Sequence, residues 1–227
     1  MDDYKLSDLS EDAVDQIFTE GIALLKSIKG KDINTFRAGA YCIQTLSNYA
    51  DLFVRHGIKI DSSVFRGREA KTKKWEWYDY TKIPSKYVYH FSSDVTREDA
   101  RGTLLEYTIP SYHITYRDYQ KGLTIAKAHK EENKMWGDGK GSVGGNLDPF
   151  WRKIIKKIKF KLFLPPMPAS IDGSMGVFLN KFDYSKSDYI MIMGHPKCLT
   201  PMSLRNIDEF LKKMEFNNKT FSQLICE

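Results

Sequence analysis

Three short stretches of this chain carry residue types that can move protons or hold charge, each beside an apolar run. The first is Phe36-Arg37-Ala38-Gly39-Ala40-Tyr41, read as a strand handing over to a helix. The carboxyl ends of parallel strands are where α/β proteins place their sites. An arginine there can hold a carboxylate through paired hydrogen bonds, and the backbone N–H groups that follow can face a developing oxyanion. The same residues also suit a surface arginine beside a glycine turn. The second stretch is Gly57-Ile58-Lys59-Ile60-Asp61-Ser62-Ser63. Asp61 ends an apolar strand and is expected on the same face as Arg37, although Asp-Ser-Ser equally serves to cap the turn that follows. The third is Met193-Gly194-His195-Pro196, directly after the apolar run Tyr189-Ile190-Met191-Ile192-Met193. A histidine lifted off a strand end is placed for general acid or base work; a structural histidine fits the position too.

Other chemistry-bearing patterns are weaker. His56, His90, His113 and His129 show no His-x-x-x-His or His-Glu-x-x-His pairing. Gly139-Lys140-Gly141-Ser142-Val143-Gly144 matches the dinucleotide fingerprint in form, but it follows a polar helical stretch instead of a strand and reads as a loop. Residues 152–161 alternate Arg152, Lys153, Lys156, Lys157, Lys159 and Lys161 with apolar Ile154, Ile155, Ile158 and Phe160. This pattern fits a helix with a solvated basic face, or peripheral contact with an anionic membrane.

The elements that must position these groups are legible in part. Ser10 with Glu11 and Asp12 opens a helix that Gly30 closes, with Val14, Ile17, Phe18, Leu24, Leu25 and Ile28 at helical spacing. A short strand over 33–37 turns at Gly39 into a second helical pattern through Ile43, Leu46, Tyr49, Ala50 and Phe53. A strand follows at Ile58–Asp61. Residues 66–86 are polar and basic, with Trp75, Trp77, Tyr78 and Tyr80 interleaved, and read as a long functional loop. Strands are predicted at 87–91 and 104–109, a helix at 116–135, and a further helix opening at Pro149. Residues 189–193 predict a strand buried on both faces. Thr200 and Pro201 start a final helix with Leu204, Ile207, Phe210, Leu211 and Met214 on one face. Helices alternate with strands, so the class is α/β with a mainly parallel sheet.

Composition sets the bounds. The 227 residues, 41% apolar and 13% aromatic, suit one domain over 1–227 and argue against disorder. No window nears the ~18 consecutive apolar residues of a membrane helix, and the polar opening residues lack the form of a signal peptide. Three dispersed cysteines, Cys42, Cys198 and Cys226, offer neither a disulfide framework nor a zinc knuckle and point to a cytoplasmic setting. A net charge of +6 permits a polyanion partner without demanding one, and no nucleic acid is expected.

In order and spacing these stretches resemble the polysaccharide deacetylase (NodB-homology) family, in the form that acts in bacterial surface-polysaccharide assembly. The likeness runs over roughly residues 5–215, except 116–185, through Phe36–Tyr41, "GIKIDSSVFRG", "YDYTKIPSKYVYHF", "GTLLEYTIP" and "MIMGHPKCLTPMSLRNIDEFLKKM". It implies a distorted (β/α) barrel, TIM-like, and a hydrolase that removes N-acetyl groups from amino sugars with a divalent metal, usually zinc. Carried over by position, Arg37 orients the base, the Tyr41 amide stabilises the oxyanion, His195 protonates the leaving amine, and Asp61 matches the first acid of an Asp-Ser-x-Asp-Trp motif. Trp75, Trp77 and Tyr78 are the sugar-binding aromatics of this reading, with a carbohydrate as partner, and Arg37, Tyr41 and His195 are expected to share one rim.

The sequence departs from the family at defined points. Gly39 stands where the family has Pro, and Val64 and Phe65 replace the second Asp and the Trp of the fourth motif, leaving His195 without its usual carboxylate. The Asp-Asp of the opening strand and the His-x-x-x-His motif are not found, so no metal ligand is assigned. The expectation is an N-terminally truncated, incomplete barrel, inactive alone and apt to self-associate at an exposed sheet edge. The alternative is a non-catalytic carbohydrate-binding or assembly protein on the same fold.

Overall fold

A computed structural model describes residues 9–44, 50–71, 77–137, 158, 160–214 and 219–224. The chain divides into two compact units, Met1–Ile109 with Asn218–Glu227, and Pro110–Asn217. The class is mixed α/β with a mixed sheet, and the described strands close no barrel. No described helix is long and apolar enough to cross a membrane.

In the first unit, helix α1 (Glu11–Lys29) begins and ends at the residues the sequence marks. Ser10 Oγ accepts the Ala13 amide, and Gly30 takes a left-handed φ of 64° while its N–H returns to the Lys26 carbonyl. The helix buries only Val14 and Phe18; Ile17, Leu24, Leu25 and Ile28 are exposed. The ring of Phe18 packs against Phe36 and Phe53 at centroid distances of 5.3 and 5.1 Å. Strand β1 (Thr35–Phe36) leads into a 3-10 turn, Gly39–Tyr41, and the predicted second helix is described as α2 (Ala50–Arg55). Positions Leu46 and Tyr49 of that prediction lie outside the described residues.

Strand β2 (Ile60–Asp61) joins β1 and β6 (Leu104–Tyr107) in parallel, and β5 (Val88–Phe91) pairs β6 antiparallel, giving the order β1-β2-β6-β5. The expected long loop over 66–86 is instead an antiparallel hairpin, β3 (Glu69–Lys71) with β4 (Trp77–Asp79). Two of its aromatics are packed inside: Tyr78 and Tyr80 stack at 4.8 Å and both are buried. Charged neighbours hid a period-two pattern in which only alternate residues point inward.

The second unit packs helices on a two-stranded parallel ribbon, β7 (Ala169–Ser170) with β8 (Ile192–Met193). Its core is Tyr112, Met167, Ala169, Phe178, Leu179, Phe182 and Phe210. Helix α3 (Tyr116–Ala128) is capped by Thr115, whose hydroxyl accepts the Asp118 amide. Gly122 faces Phe178 so closely that a Cβ would lie 2.3 Å from the ring. The predicted strand over 189–193 shortens to β8 and is half-buried, not covered on both faces, because a ribbon of two strands has no second neighbour to enclose it. Of the basic stretch 152–161 only Ile158, Phe160 and Lys161 are described, in helical conformation.

Helix α4 (Pro201–Lys213) starts as predicted, but Leu204 and Leu211 are exposed while Met202, Ser203 and Phe210 are buried. Thr200 and Ser203 form a reciprocal capping box, and the Ser203 hydroxyl also donates to the Gly173 carbonyl at 3.1 Å. Ser203→Ala removes both bonds inside a fully buried site. We expect a loss of about 1–2 kcal/mol, read as a lowered denaturation midpoint; an unchanged midpoint would show that water replaces the hydroxyl.

Short helix α5 (Phe221–Leu224) returns to the first unit, where Phe221 meets Tyr107 edge to face at 5.4 Å.

Candidate active site

In the first unit the ends of β1, β2 and β6 are laced together by polar side chains. Arg37 donates through Nε to the Ser62 carbonyl at 2.8 Å and through Nη2 to the Ser62 hydroxyl at 2.9 Å. Ser62 Oγ in turn donates to the Tyr107 carbonyl. The Ser63 hydroxyl accepts the Ala38 amide at 2.8 Å and donates to Asp61 Oδ1 at 2.7 Å, while the Ser63 amide donates to Asp61 Oδ2. Asp61 thus performs the turn-capping role that Asp-Ser-Ser allows, from a fully buried position.

Opposite Asp61 in the strand register stands Glu106, also fully buried. Glu106 Oε1 accepts the Val64 amide at 3.1 Å, whereas Oε2 meets no donor. Burial, and then the neighbouring Asp61 carboxylate, holds the Glu106 carboxyl well above the usual carboxylate range. Burial also raises Asp61, but its bonds with Glu106, Ser63 and the Ser62 amide oppose that rise. Glu106 is therefore the member of the pair pushed furthest toward holding its proton. Burial, with Asp61 close by, likewise raises the Tyr80 hydroxyl, which donates to the Tyr41 carbonyl at 2.5 Å.

Tyr41 sits in the left-handed region at φ 65°, the only non-glycine residue there among the described residues. Such a conformation is strained for a tyrosine. Its amide, the expected oxyanion donor, is directed to the Ala38 carbonyl at 3.3 Å. The expected sugar-binding Tyr78 is buried between Tyr41, at 6.1 Å, and Tyr80, so its ring is occupied by packing. Trp75 and the side chain of Trp77 lie outside the described residues.

The second unit holds His195, just past β8, and beside it Asp172, just past β7. His195 Nδ1 lies 2.7 Å from Asp172 Oδ2, and the His195 amide donates to Asp172 Oδ1 at 2.6 Å. The carboxylate therefore grips backbone and ring together. With the carboxylate ionised, Nδ1 carries the hydrogen of this bond, which leaves Nε2 to exchange a proton with a ligand. The His195 side chain is 64% exposed, against 25% for Asp172. An orienting carboxylate behind a solvent-accessible imidazole is the arrangement of a general acid–base group.

Two acids escaped the sequence reading. Asp172 supplies the carboxylate that His195 lacks in its own motif neighbourhood. Glu106 had a signal: it shares the inward alternation of Leu104 and Thr108, where an acid is out of place. Arg37, Tyr41 and Asp61 belong to the first unit and His195 to the second.

A divalent ion does not fit what is described. No three His, Cys, Asp or Glu side chains come together as ligands among the described residues. His195 commits Nδ1 to Asp172, and Asp61 is enclosed with its serines and Glu106. No protein-family model matches the chain, and no curated protein or solved structure matches it.

Proposed function

We propose that this chain is a polysaccharide deacetylase-like protein acting on N-acetyl groups of amino sugars, with His195 as proton donor to the leaving amine. The observation that carries the reading is the His195–Asp172 pair at the carboxyl ends of two parallel strands. Amide hydrolysis stalls unless the nitrogen is protonated as its bond to carbon breaks, because an amide anion is too basic to leave. Once water has added to the acetyl carbon, an imidazolium whose Nδ1–H is held by Asp172 can give the nitrogen a proton from Nε2 as the C–N bond breaks, releasing amine and acetate, and the imidazole regains its proton from solvent. Arg37 past β1 and Asp61 at the end of β2 repeat the placement of polar groups at carboxyl strand ends. That recurrence supports an incomplete distorted (β/α) barrel as the finer fold reading. A cytoplasmic location belongs to the same reading, supported by the dispersed spacing of Cys42, Cys198 and Cys226.

The sequence's departures from the family, with Val64 and Phe65 in the fourth motif and no His-x-x-x-His, favour a second reading, a carbohydrate-binding protein without catalysis. One experiment separates the two. Purified chain is incubated with a panel of N-acetylated amino-sugar oligomers, with and without added zinc, while bound sugar and released acetate are both measured. Acetate release above the protein-free control supports the deacetylase; sugar bound but uncleaved in both conditions supports the second reading; neither binding nor release discards both.

A further inference from the structure

We propose that Trp136 is the sugar-stacking platform of the His195–Asp172 site, an inference that rests on the amino-sugar reading above. Residues 132–137 carry no motif, yet they are anchored on both arms of the pair. The Trp136 amide donates to the Leu199 carbonyl at 3.0 Å and the Gly137 amide to the Lys197 carbonyl at 3.2 Å. A Cβ on Gly137 would stand 2.6 Å from the Lys197 Cα, so only glycine allows this approach. On the other arm, Met135 Cε lies 2.8 Å from where a Cβ on Gly173 would be, next to Asp172. Further back, the Glu132 carbonyl accepts the Met202 amide and its carboxylate pairs with Arg205.

Lys197 is two residues beyond His195. At about 3.8 Å per residue the Lys197 Cα lies within roughly 8 Å of the His195 Cα, and the Trp136–Gly137 backbone bonds directly to Leu199 and Lys197. Within that anchored segment the indole remains 61% exposed, and the neighbouring Met135 is also exposed. A scattered surface apolar residue needs no explanation. A tryptophan exposed on a segment tied to both arms of an acid–base pair is a different case. The apolar C–H face of a pyranose ring stacks on an indole, whose N–H can serve a sugar hydroxyl. After deacetylation the product ammonium can also be held by the same π face. The buried Tyr78 cannot take this role.

The test is binding of the N-acetylated amino-sugar panel to wild type, Trp136→Ala and Trp136→Phe, by calorimetry and by quenching of tryptophan emission. Trp136→Ala should weaken binding about 10-fold or more, the effect of removing an anchoring aromatic. Trp136→Phe, which keeps a ring, should stay within about threefold. Binding by Trp136→Ala equal to wild type would overturn the platform and leave the deacetylase reading standing. No binding by wild type to any panel member would overturn both.

Discussion

In any preparation in which wild type releases acetate, replacing His195 by alanine is expected to slow that release by ~10²–10⁴-fold, the usual contribution of a positioned acid–base group. The KM should change little. The ring is mostly solvent-exposed and packs in no core, so its loss should not unfold the second unit. Added imidazole should restore part of the rate to His195→Ala, which a purely structural histidine would not permit. Asp172→Asn probes the positioning partner. The carboxylate accepts two donors of the same residue, the His195 amide and Nδ1–H. A carboxamide offers one oxygen and turns an NH₂ toward the other donor, so the ring loses its fixed orientation. We expect kcat to fall toward that of His195→Ala, because an imidazole held in the wrong tautomer or orientation cannot deliver its proton. That fall should come without the KM shift expected of Trp136→Ala. Full acetate release by His195→Ala would remove the histidine from the chemistry.

What the sequence discloses and what it hides divide along range of interaction. Helix α1 is bounded by Ser10 and Gly30, and α4 by Thr200 and Pro201, because capping is decided within one turn and its residue types are few. His195 stands out for the same local reason, after an apolar run and a glycine. Its partner does not. Asp172 lies 23 residues away in Ser170-Ile171-Asp172-Gly173, a composition shared with any turn, and β7 is only two residues long. The burial faces of α1 and α4 also escaped, since Leu24, Ile28, Leu204 and Leu211 keep helical spacing yet stay exposed. Spacing reports that a stripe exists; what covers it is set by tertiary neighbours. The hairpin β3–β4 was concealed by the reverse error, in which aromatics among lysines suggested a binding surface while Tyr78 and Tyr80 go inside.

Glu106→Gln is expected to flatten the pH dependence of the first unit's stability and to raise that stability at pH 8. In the fold Glu106 keeps its proton where an unfolded glutamate, with a value near 4.3, has lost it. The folded chain then binds more protons than the unfolded one, and stability falls as pH rises. The contribution is therefore complete below about pH 4.3 and drains away as pH climbs toward the raised value. Glutamine copies the protonated acid: its carbonyl can accept the Val64 amide, and its NH₂ can donate to Asp61 with nothing left to ionise. Asp61→Ala is the opposite case. It strips the acceptor from the Ser63 hydroxyl and amide and from Glu106, all without access to water, at a cost of about 3–5 kcal/mol. Urea midpoints at pH 5 and pH 8 for wild type and both variants provide the measurement. The difference between Glu106→Gln and wild type must grow with pH. A constant difference would mean that Glu106 is ionised in the folded chain and that a cation, not a shared proton, neutralises the pair.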